Sequence, residues 1–237
     1  MTLIRLNKYL SSQGIASRRA VDAIISQGRI TINGTTATLG AKIDPYNDTI
    51  TIDGKIWEKK VKTQSTYIAL NKPTGVVSTS TDPQGRPTVV NLVRIPVRIF
   101  PVGRLDIDST GLILLTDDGQ LALKLTHPRY HFPKTYLVTV IGSLTPQKIS
   151  QMSTGVSLEE GTTAPSDVQI FHKNQASTEL KITLYEGKKR QIRRMCAALN
   201  LHVSRLHRIK IGPVHLGNLK EGEWRYLTPA EVRKLLQ

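Results

Sequence analysis

Asp106 and Arg104 lie in the run Gly103-Arg104-Leu105-Asp106-Ile107-Asp108-Ser109-Thr110-Gly111, directly ahead of Leu112-Ile113-Leu114-Leu115-Thr116. The apolar stretch is short, β-compatible and bounded by Gly111 and by Asp117-Asp118-Gly119, so it reads as a buried strand. A carboxylate at the turn into a core strand is held at the edge of a cleft, with Arg104 close enough to influence its charge. That suits a catalytic acid and equally suits a turn-forming Asp. A second chemistry-bearing run is Glu186-Gly187-Lys188-Lys189-Arg190-Gln191-Ile192-Arg193-Arg194-Met195. Ile192, Met195, Cys196 and Leu199 share one helical face, which assigns that face to the core. Lys188, Lys189, Arg190, Arg193 and Arg194 then crowd the helix start, against the macrodipole. Such a run expects a phosphate or a partner carboxylate nearby, or else marks a solvated surface. Third, Tyr136 opens the apolar stretch after Lys134, as core packing or as a stacking platform for a base.

The 237 residues include 33 Lys and Arg against 18 Asp and Glu, a formal charge of +15. This excess predicts a polyanionic partner, since each cation that neutralises a phosphate releases a condensed counterion. No stretch approaches the roughly 18 apolar residues of a membrane-spanning helix, and Met1-Thr2-Leu3-Ile4-Arg5 lacks a signal-peptide core, so no membrane partner is expected. Cys196 is the sole cysteine, which excludes an internal disulfide or a cysteine metal cluster and fits a reducing cytoplasm. His127 and His131 have i,i+4 spacing, but Pro128 between them argues against a helix, and no metal site is expected. The absence of Gly-x-x-x-x-Gly-Lys-Ser/Thr, Gly-x-Gly-x-x-Gly and Gly-x-Ser-x-Gly argues against nucleotide-driven chemistry and serine hydrolysis.

The elements that must position these residues fall into two parts. In residues 1–60, Leu6, Tyr9 and Leu10 mark a helix ending near Gly14, and Ser17 caps a second one with Val21, Ile24 and Ile25 inside. Short strands follow, with hairpin signals at Asn33-Gly34 and Asp53-Gly54. Arg5, Lys8, Arg18, Arg19 and Arg29 surround the helix pair and read as a phosphate-contacting face. Residues 61–66 read as a linker. From 67 to 237 strands are expected at 67–70, 112–116, 136–141, 178–185 and 203–211, and helices at 120–125, 146–152 and 189–199. A capping box at Thr228-Pro229-Ala230-Glu231 opens a last helix. Strands and helices do not alternate strictly, so the fold class is α+β with a mainly antiparallel sheet.

Taken in order, these segments resemble the RsuA/RluB/RluE/RluF family of ribosomal RNA pseudouridine synthases. Leu6-Asn7-Lys8-Tyr9-Leu10, Ser17-Arg18-Arg19 and Gly28-Arg29-Ile30 are similar to the αL RNA-binding module of ribosomal small-subunit protein four. Leu70-Asn71-Lys72-Pro73-Thr74-Gly75, Asp82 to Thr88, Gly103-Arg104-Leu105-Asp106, Arg205-Leu206-His207-Arg208-Ile209 and Gly222-Glu223-Trp224-Arg225 follow the motifs of the synthase domain. The specific part is Gly-Arg-Leu-Asp followed by Gln-Ile-Arg-Arg-Met. The resemblance implies an essential aspartate at Asp106, a base-stacking tyrosine at Tyr136, and an ion-pairing partner for the aspartate at Arg193, with Arg190 as the second choice. It also implies that Arg104 helps hold the RNA open, that Leu206 packs under the target base, and that Asp108 stays a turn residue. The reaction it implies needs no cofactor. The expected enzyme is a cytoplasmic monomer acting on ribosomal RNA or a pre-ribosomal particle, with the large subunit favoured. The alternatives are a transfer RNA substrate or a non-catalytic RNA-binding assembly factor.

Overall fold

The computed structural model describes residues 3–58 and 64–237. Its contacts divide the chain into two compact units, Met1–Ser65 and Thr66–Gln237. Of the expected linker, residues 61–63 lie outside the described residues, while Thr66 is tied to the second unit by its N–H donating to Asp117 Oδ1 at 2.9 Å.

In the first unit, helices Leu6–Ser12 and Arg18–Ser26 pack through Leu6, Tyr9, Leu10, Val21 and Ile25 onto a small sheet contributing Ile30 and Ile50. Ser17 caps the second helix by accepting from Ala20 N at 3.1 Å, satisfying one of the orphan N–H groups of the first turn. The strands Thr35–Thr36, Ile30–Ile32, Ile50–Ile52 and Lys55–Ile56 form one antiparallel sheet in that order. Its turns occur at Asn33-Gly34 and Asp53-Gly54, where all four residues have positive φ as type I′ turns require.

The second unit is built on a sheet whose main path runs Asp167–Lys173, Thr178–Leu184, Lys134–Ile141, His202–Ile211, Thr110–Thr116, Tyr67–Lys72 and Trp224–Tyr226. Along this path every neighbouring pair is antiparallel except one: His202–Ile211 and Thr110–Thr116 run parallel, at His207 to Thr110 and Arg208 to Gly111. The α+β, mainly antiparallel architecture is thus present with a single parallel seam near the middle. All seven residues of Thr110–Thr116 are buried. Ile113 and Leu115 face a core shared with helices Pro146–Thr154 and Gln191–Ala198. Leu112 and Leu114 face a second core, under Gly119–Thr126 and Pro229–Leu236. Helices on both faces explain why this strand is continuously apolar instead of alternating.

The parallel seam depends on Gly111. Its φ is +105°, and a Cβ there would lie 2.3 Å from Arg208 O and 2.5 Å from Arg208 N. The obstruction is backbone on the neighbouring strand, so it cannot rotate away. Gly111→Ala is expected to cost roughly 2–5 kcal/mol, combining backbone strain with overpacking. The measurement is a urea unfolding midpoint; an unchanged midpoint would contradict the close approach.

Around Pro128 the chain forms a 3₁₀ turn, Pro128–Tyr130, so His127 and His131 do not share a helix face. The basic run differs in one detail from expectation. The helix begins at Gln191, and Arg190 precedes it in the left-handed region at φ 50°. Gln191 is the cause: its side chain accepts from Lys188 N at 3.1 Å and donates to Glu186 Oε1 at 2.6 Å, folding the chain tightly ahead of the helix.

Candidate active site

Asp106 lies on the turn joining strands Phe100–Val102 and Thr110–Thr116. That turn is clamped along its length. Leu105 N donates to Ser78 Oγ at 3.0 Å, and Ser78 Oγ donates to Leu105 O at 2.8 Å. Gly75 N donates to Ile107 O and Ser109 N to Asp106 O, at 2.9 and 3.1 Å. From below, Arg208 Nε donates to Leu112 O at 2.6 Å, and its Nη1 reaches Arg104 O at 3.4 Å. Leu105 is buried in the core while Asp106 remains partly accessible, so the carboxylate is presented by a rigid support.

The arginines distribute differently from expectation. Arg190 Nη1 lies 3.5 Å from Asp106 Oδ2. Arg190 also donates to both carboxylate oxygens of Asp108, at 3.4 and 3.2 Å. Arg193 Nη2 lies 3.2 Å from Asp108 Oδ2 and donates to Asp108 O, while its Nη1 donates to Val203 O. Of the two arginines the resemblance offers as partners of Asp106, Arg190, the second choice, makes the contact here, ahead of the helix in the left-handed region, while Arg193, the first choice, contacts Asp108 and the Val203 carbonyl. Asp108, read from sequence as a turn residue, joins both arginines. Their guanidinium charges hold its carboxyl below the usual carboxylate value although burial opposes them.

Tyr136 is 9% exposed and Leu206 7%, and both belong to the same core cluster as Leu105. Tyr136 pairs across the sheet with Arg208, whose guanidinium lies 5.9 Å from the ring centroid. Arg104 is exposed and has no ion-pair partner among the described residues.

Two buried cations were not singled out from sequence. Lys72 is fully buried, donating to Pro73 O and Val76 O at 2.9 Å each. Burial pulls its ammonium down to about 8, while the charges of Asp108 and Asp106 oppose that shift. Arg208, 2% exposed, completes the set, and its Nη2 has no hydrogen-bond partner among the described residues. A lysine and an arginine inside otherwise apolar strands were the available signal, since such groups are almost never buried without a partner. Cys196 offers no nucleophile: its thiol is buried and pushed up to about 12 by that burial.

Not every cation of the basic face is free for a polyanion. Arg29 is held by Asp53, with both contacts at 2.7 Å, and Arg194 is paired with Glu160. Lys188 lies 3.8 Å from Glu186 and donates to Thr162 O. The anions expected beside the basic run are thus largely the chain's own carboxylates. Arg5, Lys8, Arg18, Arg19 and Lys189 are exposed and unpaired among the described residues. No group of three or more metal-ligating side chains occurs among the described residues, and no helix among them is long and apolar enough to cross a membrane.

Comparison with known proteins places these features in one family. The RNA pseudouridylate synthase family model matches residues 66–198, and the S4 domain model matches residues 4–48. An RNA pseudouridine synthase of Aquifex aeolicus is 41% identical over 100% of this chain and 95% of its own length. The Bacillus subtilis ribosomal large subunit pseudouridine synthase B is 38% identical, covering 98% of this chain and 95% of that protein. The Escherichia coli dual-specificity RNA pseudouridine synthase RluF is 41% identical over 99% of this chain and 79% of its own length. A crystal structure of a pseudouridylate synthase superposes with a TM-score of 0.71 at 34% identity, covering 98% of this chain and 99% of that one. This chain, with its S4 domain and its Asp106 turn beside a two-arginine cluster, belongs to the RNA pseudouridylate synthase family.

Proposed function

We propose that this pseudouridine synthase isomerises one uridine of ribosomal RNA, in the large subunit, with Asp106 as its reactive carboxylate. The observation that carries the reading is the clamped Asp106 turn, with Arg190 at 3.5 Å and Leu105 anchored in the same core as Tyr136 and Leu206. The ribosomal substrate is drawn from the name of the Bacillus subtilis relative, which covers nearly all of this chain.

A uridine within folded RNA cannot present its glycosidic bond, so it must leave the stack at a cost of about a few kcal/mol. Phosphate contacts from Arg104, Lys189 and the basic face of the first unit offset that cost, and Tyr136 meets the flipped base. The N1–C1′ bond then breaks, the uracil turns within the site, and a C5–C1′ bond forms. N1 gains a proton and C5 loses one to solvent. Attack on the sugar, attack on the base and removal of a sugar proton are all roles of a carboxylate, here Asp106 with the Arg190 guanidinium 3.5 Å away. Isomerisation leaves no redox or energy balance to supply, so the reaction calls for no redox or energy-supplying cofactor.

The test is pseudouridine mapping in ribosomal and transfer RNA from cells with and without the protein. One large-subunit position that loses its pseudouridine supports the reading. Loss only in transfer RNA would move the substrate to that class, and no loss anywhere would favour a docking role without catalysis. Reversal of Arg18 and Arg19 to Glu is expected to weaken ribosomal RNA binding by about 10-fold or more, since each removes a phosphate contact and adds repulsion. Unchanged binding in a filter assay would remove the first unit from RNA recognition.

A further inference from the structure

Arg208 stands at the parallel seam, where its backbone lies against Gly111. Its side chain returns to the Asp106 turn, with Nε donating to Leu112 O at 2.6 Å and Nη1 to Arg104 O at 3.4 Å. The same guanidinium lies 5.9 Å from the ring centroid of Tyr136, the residue that Arg208 faces across the sheet. One side chain thus reaches the strand after the turn, the residue two before Asp106, and the tyrosine. We propose that Arg208 is a positioning residue, which sets the reactive carboxylate of Asp106 against the base-contacting ring of Tyr136. The proposal rests on Asp106 and Tyr136 having those roles.

The Ser78 and Gly75 contacts tie the turn to the chain that precedes it. Arg208 ties it instead to the central strands of the sheet, which carry Tyr136 and Leu206. A guanidinium suits this task, because its planar fork donates in two directions and packs against an aromatic ring. As a contribution to folding, the arrangement is a poor one. Arg208 is 2% exposed and makes no ion pair among the described residues. Burial lowers the ammonium groups of both Lys72 and Lys134 to about 8, and the nearby charge of Arg208 adds to the fall. A buried charge without an opposite partner is costly, and an apolar side chain of similar size would avoid that cost. What the arginine supplies and an apolar group does not is a donor to each of two carbonyls, Arg104 O and Leu112 O, that flank Asp106 in the chain.

The experiment compares Arg208→Lys and Arg208→Met with the wild type in single-turnover pseudouridine formation at saturating RNA, each rate divided by the fraction folded at the assay temperature. Leu235→Ala, which removes a buried side chain from the core beside the C-terminal helix, is the control for lost stability alone. Arg208→Lys is expected to slow the chemical step by about 10- to 100-fold, the scale of a reacting group displaced by about 1 Å. Lysine keeps the charge but cannot serve both carbonyls and the ring from one planar group. RNA affinity should stay within about threefold, because a residue buried this deeply meets no phosphate. Arg208→Met should lose at least as much rate as Arg208→Lys. Leu235→Ala should melt at a lower temperature and keep the wild-type rate per folded molecule. A wild-type rate per folded molecule for either Arg208 variant overturns the proposal, as does a loss that Leu235→Ala reproduces or that tracks RNA affinity. Failure of the underlying reading is distinct: it appears as normal turnover by Asp106→Asn or by Tyr136→Leu, whatever the Arg208 variants do.

Discussion

Asp106→Asn is expected to reduce pseudouridine formation by at least about 10⁴-fold, the scale observed when an enzyme loses its reacting side chain. The substitution is close to isosteric, and the turn that carries it is held by main-chain and Ser78 contacts that do not involve the carboxylate. The fold should therefore survive. RNA affinity should also survive, within about threefold, because affinity comes from cations whose charge the substitution leaves in place. Tritium release from C5-labelled uridine in a ribosomal RNA transcript reads the chemistry, and a filter assay reads the binding. An Asn variant that releases tritium at the normal rate would remove Asp106 from the reaction.

The second large effect concerns salt. Arg5, Lys8, Arg18, Arg19, Arg104 and Lys189 are exposed and without an ion-pair partner among the described residues. If these six each meet one phosphate, affinity should fall by about 10³ between 50 and 200 mM salt through counterion release. A salt titration of RNA affinity measures the slope directly. A flat response would show that recognition runs through uncharged contacts. Arg29 and Arg194 are left out because Asp53 and Glu160 already hold them. Restoring their net charge by Asp53→Asn or Glu160→Gln should steepen the slope by about one contact each at most.

Much of the fold is legible in the sequence. The Ser17 cap, the Asn33-Gly34 and Asp53-Gly54 turns and the Thr228 capping box all appear where local chemistry predicts them. Each depends on residues within a few positions of one another. The run 112–116 reads as a buried strand, and helices cover it on both faces. The parallel seam was not legible. It requires Gly111 to accept the Arg208 backbone at a distance no side chain tolerates, and a single glycine after a turn does not announce what lies across from it.

The sequence by itself determined the chemistry available: a carboxylate at the mouth of a buried strand, a basic run ahead of a helix, and an aromatic opening a strand. Tertiary structure alone decided which charges meet. Arg190 and Asp108 are 82 positions apart, and Arg208 and Leu112 are 96. Periodicity reports which face of an element is buried, but carries no information about where two long, flexible cations end on a neighbouring turn. The left-handed step at Arg190 and the Val203 carbonyl that receives Arg193 made that choice. They turned Asp108 from a turn residue into the carboxylate around which both arginines are arranged.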